Sequence, residues 1–226
     1  MSVNEKYQLN NAKHIETDKH VLIPGMTGSG KSVLAETYLA GYEHVIKLDT
    51  KDEVTERRRD GLPLWRGLTE GKDYTVIDTL AAIDGVETPK IIYTPNFEEQ
   101  TQEFYNAFFK YVYERENTIA WIDELMSVAE SPNRYPPYLK ACYTRGRSKN
   151  VALWALTQRP VDIPVICGAN TTYFFVFDLN MDQDREKMYR ITGQREMLSM
   201  PGEFNFWYYR VGERQPTKAR LKFERG

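Results

Sequence analysis

Gly25-Met26-Thr27-Gly28-Ser29-Gly30-Lys31-Ser32, directly after the apolar run Val21-Leu22-Ile23-Pro24, is the stretch that decides the fold. It is a complete G-x-x-x-x-G-K-S sequence in the setting the motif needs: a strand feeding a glycine-rich turn that opens a helix. The glycines let successive backbone N–H groups curl around phosphate oxygens, and the positive end of the following helix adds a fixed partial charge. In such a loop Lys31 reaches the β- and γ-phosphates and Ser32 ligates Mg²⁺. Gly25, Thr27, Gly28, Ser29, Gly30, Lys31 and Ser32 are therefore the expected nucleotide-binding residues. The competing reading is a glycine turn with an incidental lysine. Four fixed identities with the right flanks weigh against it.

Further along, Thr118-Ile119-Ala120-Trp121-Ile122-Asp123-Glu124 is an apolar strand ending in two acids, the pattern of a Walker B element. Side chains at the carboxyl end of a parallel strand face the phosphate crevice. Asp123 is thus expected to hold Mg²⁺ through its hydration shell, and Glu124 to orient the attacking water. That pair argues for hydrolysis; the alternative is an acidic strand end solvated at the surface. The next apolar run, Val151–Thr157, ends in Gln158-Arg159-Pro160. If it lies between the phosphate-loop strand and the Walker B strand, Gln158 sits beside both, to sense the γ-phosphate or help hold the water; otherwise it caps a turn. Between these runs lies the basic turn Tyr143–Asn150. Arg145 and Arg147 are candidates for an arginine donated across a subunit boundary, or for cations that complement a helix dipole. Arg115 is a weaker candidate.

The 226 residues, 41% hydrophobic and 13% aromatic, can bury one sizeable core but not two α/β domains, so residues 1–226 are read as a single domain. A formal charge of −2 carries no bulk signal for nucleic acid, so such contacts must come from local patches or from loops gathered in an oligomer. Cys142 and Cys167 lack metal-ligand spacing and are expected in the core of a protein from a reducing compartment. Apolar stretches such as Thr172–Phe177 are too short to span a membrane, and a secretory leader is absent.

Residues 1–19 read as a polar tail or lead-in strand. Strands are expected over His20–Pro24, His44–Asp49, Thr75–Ile77, Lys90–Tyr93, Thr118–Asp123, Val151–Thr157 and Thr171–Phe177. Helices are expected over Lys31–Ala40, with Val33, Leu34, Tyr38 and Leu39 inward, and over Phe97–Glu116, Tyr138–Gly146 and Asp182–Ile191. Phe104, Phe108 and Val112 recur at helical spacing, a pattern of core packing rather than base stacking. Thr50–Lys72, with Arg57-Arg58-Arg59, reads as an irregular surface excursion. Glu203–Arg210 and Lys218–Phe223 read as a closing C-terminal β-hairpin within residues 203–223. The alternation predicts an α/β fold with a mostly parallel central sheet and helices on both faces.

Taken in order, Gly-Met-Thr-Gly-Ser-Gly-Lys-Ser, Trp-Ile-Asp-Glu, Thr-Arg-Gly-Arg-Ser-Lys-Asn and Leu-Thr-Gln-Arg-Pro resemble the FtsK/HerA superfamily of DNA-pumping ATPases, over about Val21 to Phe177. The resemblance implies a RecA-like (ASCE) P-loop NTPase fold, a homo-oligomeric ring with a hexamer favoured, ATP sites at subunit boundaries, and double-stranded DNA in the channel. It casts Lys31 and Ser32 as phosphate and Mg²⁺ ligands, Asp123 and Glu124 as Walker B, Gln158 as sensor, and Arg145 or Arg147 as the trans finger. A chain that is nearly all motor is similar to the genome-packaging ATPases of tailless, internal-membrane phages. That similarity implies capsid or vertex partners and a place in the host cytoplasm or the virion. DNA contacts would be sequence-independent ones to phosphates, and the candidate loop for them is Thr50–Lys72 with Arg57, Arg58 and Arg59; the competing reading of that charge run is a solvated face. The rival readings are an assembly or secretion ATPase of the filamentous-phage type and a small-molecule kinase. A transmembrane segment, common in the former, is missing, and Glu124 with Gln158 argues against the latter.

Overall fold

The computed structural model describes residues 14–222. Residues 1–13 of the expected lead-in, and Phe223 at the end of the expected hairpin, lie outside the described residues. Short runs of Val, Ile, Leu and aromatic residues form the strands β1 (Val21–Pro24), β2 (Val45–Leu48), β3 (Tyr74–Ile77), β4 (Lys90–Tyr93), β5 (Ile119–Ile122), β6 (Ala152–Thr157), β7 (Tyr173–Val176), β8 (Asn205–Arg210) and β9 (Thr217–Arg220). The helices are α1 (Lys31–Ala40), α2 (Glu53–Arg59), α3 (Gln102–Arg115), α4 (Leu125–Val128), α5 (Pro137–Arg145), α6 (Val165–Ala169) and α7 (Asp182–Thr192).

The strands make one sheet in the order β3-β4-β2-β5-β6-β1-β7-β8-β9. β1 to β7 run parallel, and β8 and β9 close one edge as an antiparallel pair. The expected hairpin is therefore present. Every residue of β1, β2, β5 and β6 is buried, which is why these strands read as unbroken apolar runs rather than alternating ones. The pleat sends their side chains alternately to two cores. Val21, Ile23, Trp121 and Trp154 pack with Leu34 and Leu39 of α1 on one face. Leu22, Ala120, Ile122 and Leu153 pack with Phe108, Phe109 and Val112 of α3 and Leu139 of α5 on the other. Cys142 and Cys167 are both free and buried, and burial pushes their thiols up to about 12.

Two expectations are corrected. Thr50–Lys72 is not an irregular excursion: it contains α2, and the segment folds back so that Trp65 is fully buried and donates its indole N–H to the Glu36 carbonyl at 3.1 Å. The buried apolar residues of the segment are Val54, Leu64 and Trp65, with Leu68 partly buried and Leu62 exposed, too sparse a set to show helical periodicity. Phe97–Glu116 is likewise not one helix. Asn96 caps a single 3₁₀ turn over Phe97–Glu99, accepting from the Glu99 N–H at 3.0 Å, and Thr101 then caps α3. Two capping residues five apart start two elements. On α1, Leu34 and Leu39 are buried as expected, while Val33 and Tyr38 are only half-buried. α7 stops at Gly193, whose φ of 72° is the left-handed conformation that ends a helix.

His20, just before β1, is 5% exposed, and its Nδ1 accepts the Leu153 backbone N–H at 3.0 Å. Burial lowers its pKa to about 4. The unfolded chain protonates His20 below about 6.5 and the folded chain does not, so its contribution to stability is intact above that pH and is lost as pH falls towards 4. Between pH 7 and pH 5 this one residue should remove about 2 kcal/mol of unfolding free energy. Urea titrations at both pH values should show that much less acid sensitivity in His20→Asn; an equal drop in both proteins would dismiss His20 as the cause.

Candidate nucleotide site at the carboxyl edge of the sheet

The phosphate loop hangs between the tips of β6 and β7. The Gly25 N–H donates to the Thr157 carbonyl at 3.0 Å and the Met26 N–H to the Asp178 carbonyl at 2.8 Å. A Cβ on Gly25 would lie 2.6 Å from the Phe177 Cβ, so no larger residue fits there. Gly30, with φ of 102°, turns the chain into α1 in a conformation that side chains disfavour. Lys31 is 6% exposed, and its Nζ donates to the Met26 carbonyl at 2.8 Å. Burial, reinforced by the nearby Lys51 ammonium, lowers its pKa to about 8. The Ser29 hydroxyl is buried without a hydrogen-bond partner. Thr27 donates its hydroxyl to Gln158 Oε1 at 2.8 Å.

β6 lies between β1 and β5, as expected, and brings Gln158 to both. The Gln158 N–H donates to Glu124 Oε1 at 3.3 Å. Asp123 and Glu124 are both 4% exposed at the tip of β5. Asp123 Oδ1 accepts from the Thr50 N–H at 3.0 Å and the Thr50 hydroxyl at 2.9 Å, while its Oδ2 is buried with no partner. Burial, with Asp49 alongside, pushes the Asp123 carboxyl well above the usual carboxylate range; Lys47 and the Thr50 N–H pull the other way. Glu124 Oε2 lies 3.1 Å from Lys51 Nζ.

Sequence reasoning missed Asp49, Thr50 and Lys51. β2 neighbours β5, so its carboxyl end opens onto the same edge, and the signal was an acid, a hydroxyl and an amine directly following an apolar strand. Asp49 shapes the turn by accepting the N–H groups of Lys51, Glu53 and Val54 at 3.3, 3.0 and 2.9 Å.

The basic candidates lie elsewhere. Arg145 ends α5 and Arg147 follows it, ahead of β6 and so at the opposite edge of the sheet from Gln158. Six strand residues separate the two edges, roughly 20 Å at about 3.3 Å per residue. Both arginines are exposed, and Arg147 Nε lies 3.2 Å from Asp18. Arg115, closing α3, is half-buried at that same edge. Arg57 is not a free DNA-gripping residue. Its guanidinium lies 3.1 Å from Glu36, itself 1% exposed, and 2.7 Å from Glu53, and it also donates to the Pro63 and Leu64 carbonyls. Arg58 and Arg59 remain exposed, beside Glu70 and Asp60.

The fold is that of the P-loop NTPases. The genome packaging NTPase B204 of Sulfolobus turreted icosahedral virus 2, in complex with sulfate, superposes with a TM-score of 0.70 at 16% identity, covering 93% of this chain and 100% of that one. Its complex with ATP-gammaS gives 0.72 at 14% identity, over 92% and 100%. VirB4 of Thermoanaerobacter pseudethanolicus gives 0.61 at 12% identity, over 94% and 93%. The expected RecA-like architecture, a mostly parallel sheet closed at one edge by an antiparallel pair, is thus met. No protein-family model and no curated protein matches the sequence. Among the described residues of this P-loop NTPase fold, no helix is long and apolar enough to cross a membrane.

Removing Arg57 strands the buried Glu36 carboxylate, so Arg57→Ala should cost about 3–5 kcal/mol in urea unfolding. Arg57→Lys, which keeps a cation beside Glu36 and Glu53, should recover part of that loss. An Arg57→Ala variant as stable as the native chain would remove Arg57 from this structural role.

Proposed function

We propose that this chain is an ATPase that drives double-stranded DNA, acting in the packaging of a viral genome. The observation that carries the reading is the convergence of Lys31, Asp123, Glu124 and Gln158, from three neighbouring strand ends, on one crevice. The comparison structures support ATP as the nucleotide, since one is complexed with ATP-gammaS, and packaging as the task, since their protein is a genome packaging NTPase.

In this reading Lys31 exchanges the Met26 carbonyl for the terminal phosphates, and the N–H groups of Gly28, Ser29 and Gly30 bind the rest. Asp123 and Ser32 would hold Mg²⁺, Asp123 through a bound water: its Oδ2 is a buried carboxylate oxygen without a partner, and a hard cation takes oxygen ligands. Held there, Mg²⁺ would supply positive charge against the charge developing on the phosphate oxygens. Glu124 accepts a proton from the attacking water as the new oxygen–phosphorus bond forms at the γ-phosphate. The bond to the β,γ-bridging oxygen breaks, leaving ADP and inorganic phosphate. Gln158, tied to Thr27 and to Glu124, links the phosphate loop to the base. Arg145 and Arg147 are too far from their own chain's loop to take part, so we assign them to the site of a neighbouring subunit in a ring. That ring, favoured as a hexamer, would place DNA in its channel and dock on capsid or vertex proteins, in the host cytoplasm or the virion.

ATP turnover, measured with and without double-stranded DNA, should rise on adding DNA. Glu124→Gln should lower turnover by about 100-fold or more with ATP binding retained. Turnover indifferent to DNA but stimulated by a protein substrate would favour the assembly or secretion reading. Phosphate transfer to a metabolite would favour a kinase.

If Arg145 or Arg147 completes a neighbour's site, subunits carrying Arg147→Ala or Arg145→Ala should regain activity when mixed with Lys31→Ala subunits, through hybrid sites. Failure to recover at any mixing ratio, for both arginines, would refute the trans assignment.

A further inference from the structure

We propose that Lys51 is the positioning residue for Glu124, holding the carboxylate from the β2 side while the backbone of Gln158 holds it from the β6 side. The inference rests on the ATPase reading above and adds to it a residue that none of the sequence motifs contains.

The geometry starts at the tip of β2. Asp49 is 1% exposed, and by accepting three successive-turn N–H groups it bends residues 50–54 into a fixed arc. Thr50 pins that arc to Asp123 with two hydrogen bonds, of 3.0 and 2.9 Å. The stem of Lys51 therefore leaves from a point locked to the Walker B strand end. Its ammonium lies 3.1 Å from Glu124 Oε2 and 3.4 Å from the Asp123 carbonyl. The other carboxylate oxygen, Oε1, accepts the Gln158 N–H at 3.3 Å. Each oxygen of Glu124 is thus assigned to a different strand end, which fixes both the position of the carboxylate and the plane in which its lone pairs lie.

A surface ion pair would carry little weight, because exposed pairs contribute about 0–1 kcal/mol. Here one partner is 5% exposed in its side chain and the other 39%, so the carboxylate is desolvated while the lysine keeps a route to solvent. Leaving a buried carboxylate without its cation is costly, and the carboxylate turns to whatever other partner it can reach. A base that must face a water at the γ-phosphate has to be held against the pull of Lys31. Lys51 supplies that hold.

The test compares Lys51→Met, Lys51→Arg and the native full-length chain in ATP turnover with DNA present, and in equilibrium binding of a fluorescent ADP analogue. Lys51→Met should lower kcat about 10-fold to 100-fold while KM for ATP and ADP affinity change less than about twofold. Lys51→Arg should recover most of kcat, since a guanidinium also reaches the carboxylate. Retained ADP binding shows that the Met variant is folded; if it fails to bind, the Arg variant and Lys51→Gln carry the comparison. In a Glu124→Gln background, adding Lys51→Met should cost less than about twofold more, because Lys51 acts through Glu124. A kcat for Lys51→Met within twofold of native, or a full additive loss in the double variant, would overturn the proposal while leaving the ATPase reading in place. Absence of ATP turnover in the native chain itself would remove that reading, and the inference with it.

Discussion

The placement of β6 between β1 and β5 is the constraint on which the rest of the molecule depends. A phosphate loop and a pair of acids on adjacent strands would stand side by side with nothing between them. With β6 inserted, Thr157 takes the Gly25 N–H, Gln158 reaches both Thr27 and Glu124, and the two motifs become parts of one hydrogen-bonded edge. The insertion is affordable because β6 is buried on both faces: six consecutive residues, Ala152 to Thr157, contribute alternately to the two cores. Parallel strands need such two-sided cover, and α1 on one side with α3 and α5 on the other provide it.

Under the site runs a second constraint, made of charge. Asp49 and Asp123 lie beside Lys47, which is 1% exposed and 2.5 Å from Glu53; Glu53 pairs with Arg57, and Arg57 with the buried Glu36. Burying any one of these ions alone would cost several kcal/mol. Alternating their signs offsets the cost, and Lys47 also lies 4.6 Å from the centre of the Trp121 ring. α2 is therefore fastened less by apolar area, since Val54 is its one buried residue, than by ions that reach from the end of β5 to α1. Replacing that chain of ions piecemeal leaves unpaired charge in the interior. The same arrangement ties the arc of Asp49, Thr50 and Lys51 to the body of the protein.

The sequence made the sheet legible because β1, β2, β5 and β6 are continuous apolar runs bounded by polar turns, and the loop legible because glycines at 25, 28 and 30 answer to distinct geometric needs. Asp123, Glu124 and Gln158 were readable as strand ends. What stayed hidden depends on partners distant in sequence. Arg57 in a run of three arginines looks solvated, and only Glu36, twenty-one positions earlier, makes it internal. Lys51 carries no periodic signal, and its meaning comes from Glu124 across the β2–β5 pairing. Arg145 and Arg147 were visible as a basic turn, but their place at the amino edge follows from strand direction, which needs the whole topology.

Lys31 shows how such a site can store affinity before any phosphate arrives. A lysine that would titrate near 10.5 is held near 8, a difference equivalent to ~3 kcal/mol that burial and Lys51 charge against its protonated form. Its present acceptor, the Met26 carbonyl, is neutral. A phosphate oxygen in that position gives a charge-assisted bond of about twice the strength and removes the electrostatic penalty together. The loop thus resists its own lysine and is relieved by an anion. Lys31 is set by the loop that follows β1, whereas Glu124 is held by Lys51 and Gln158 from other strands. Because separate elements carry the two, the setting of the Lys31 ammonium and the setting of the Glu124 carboxylate can change independently.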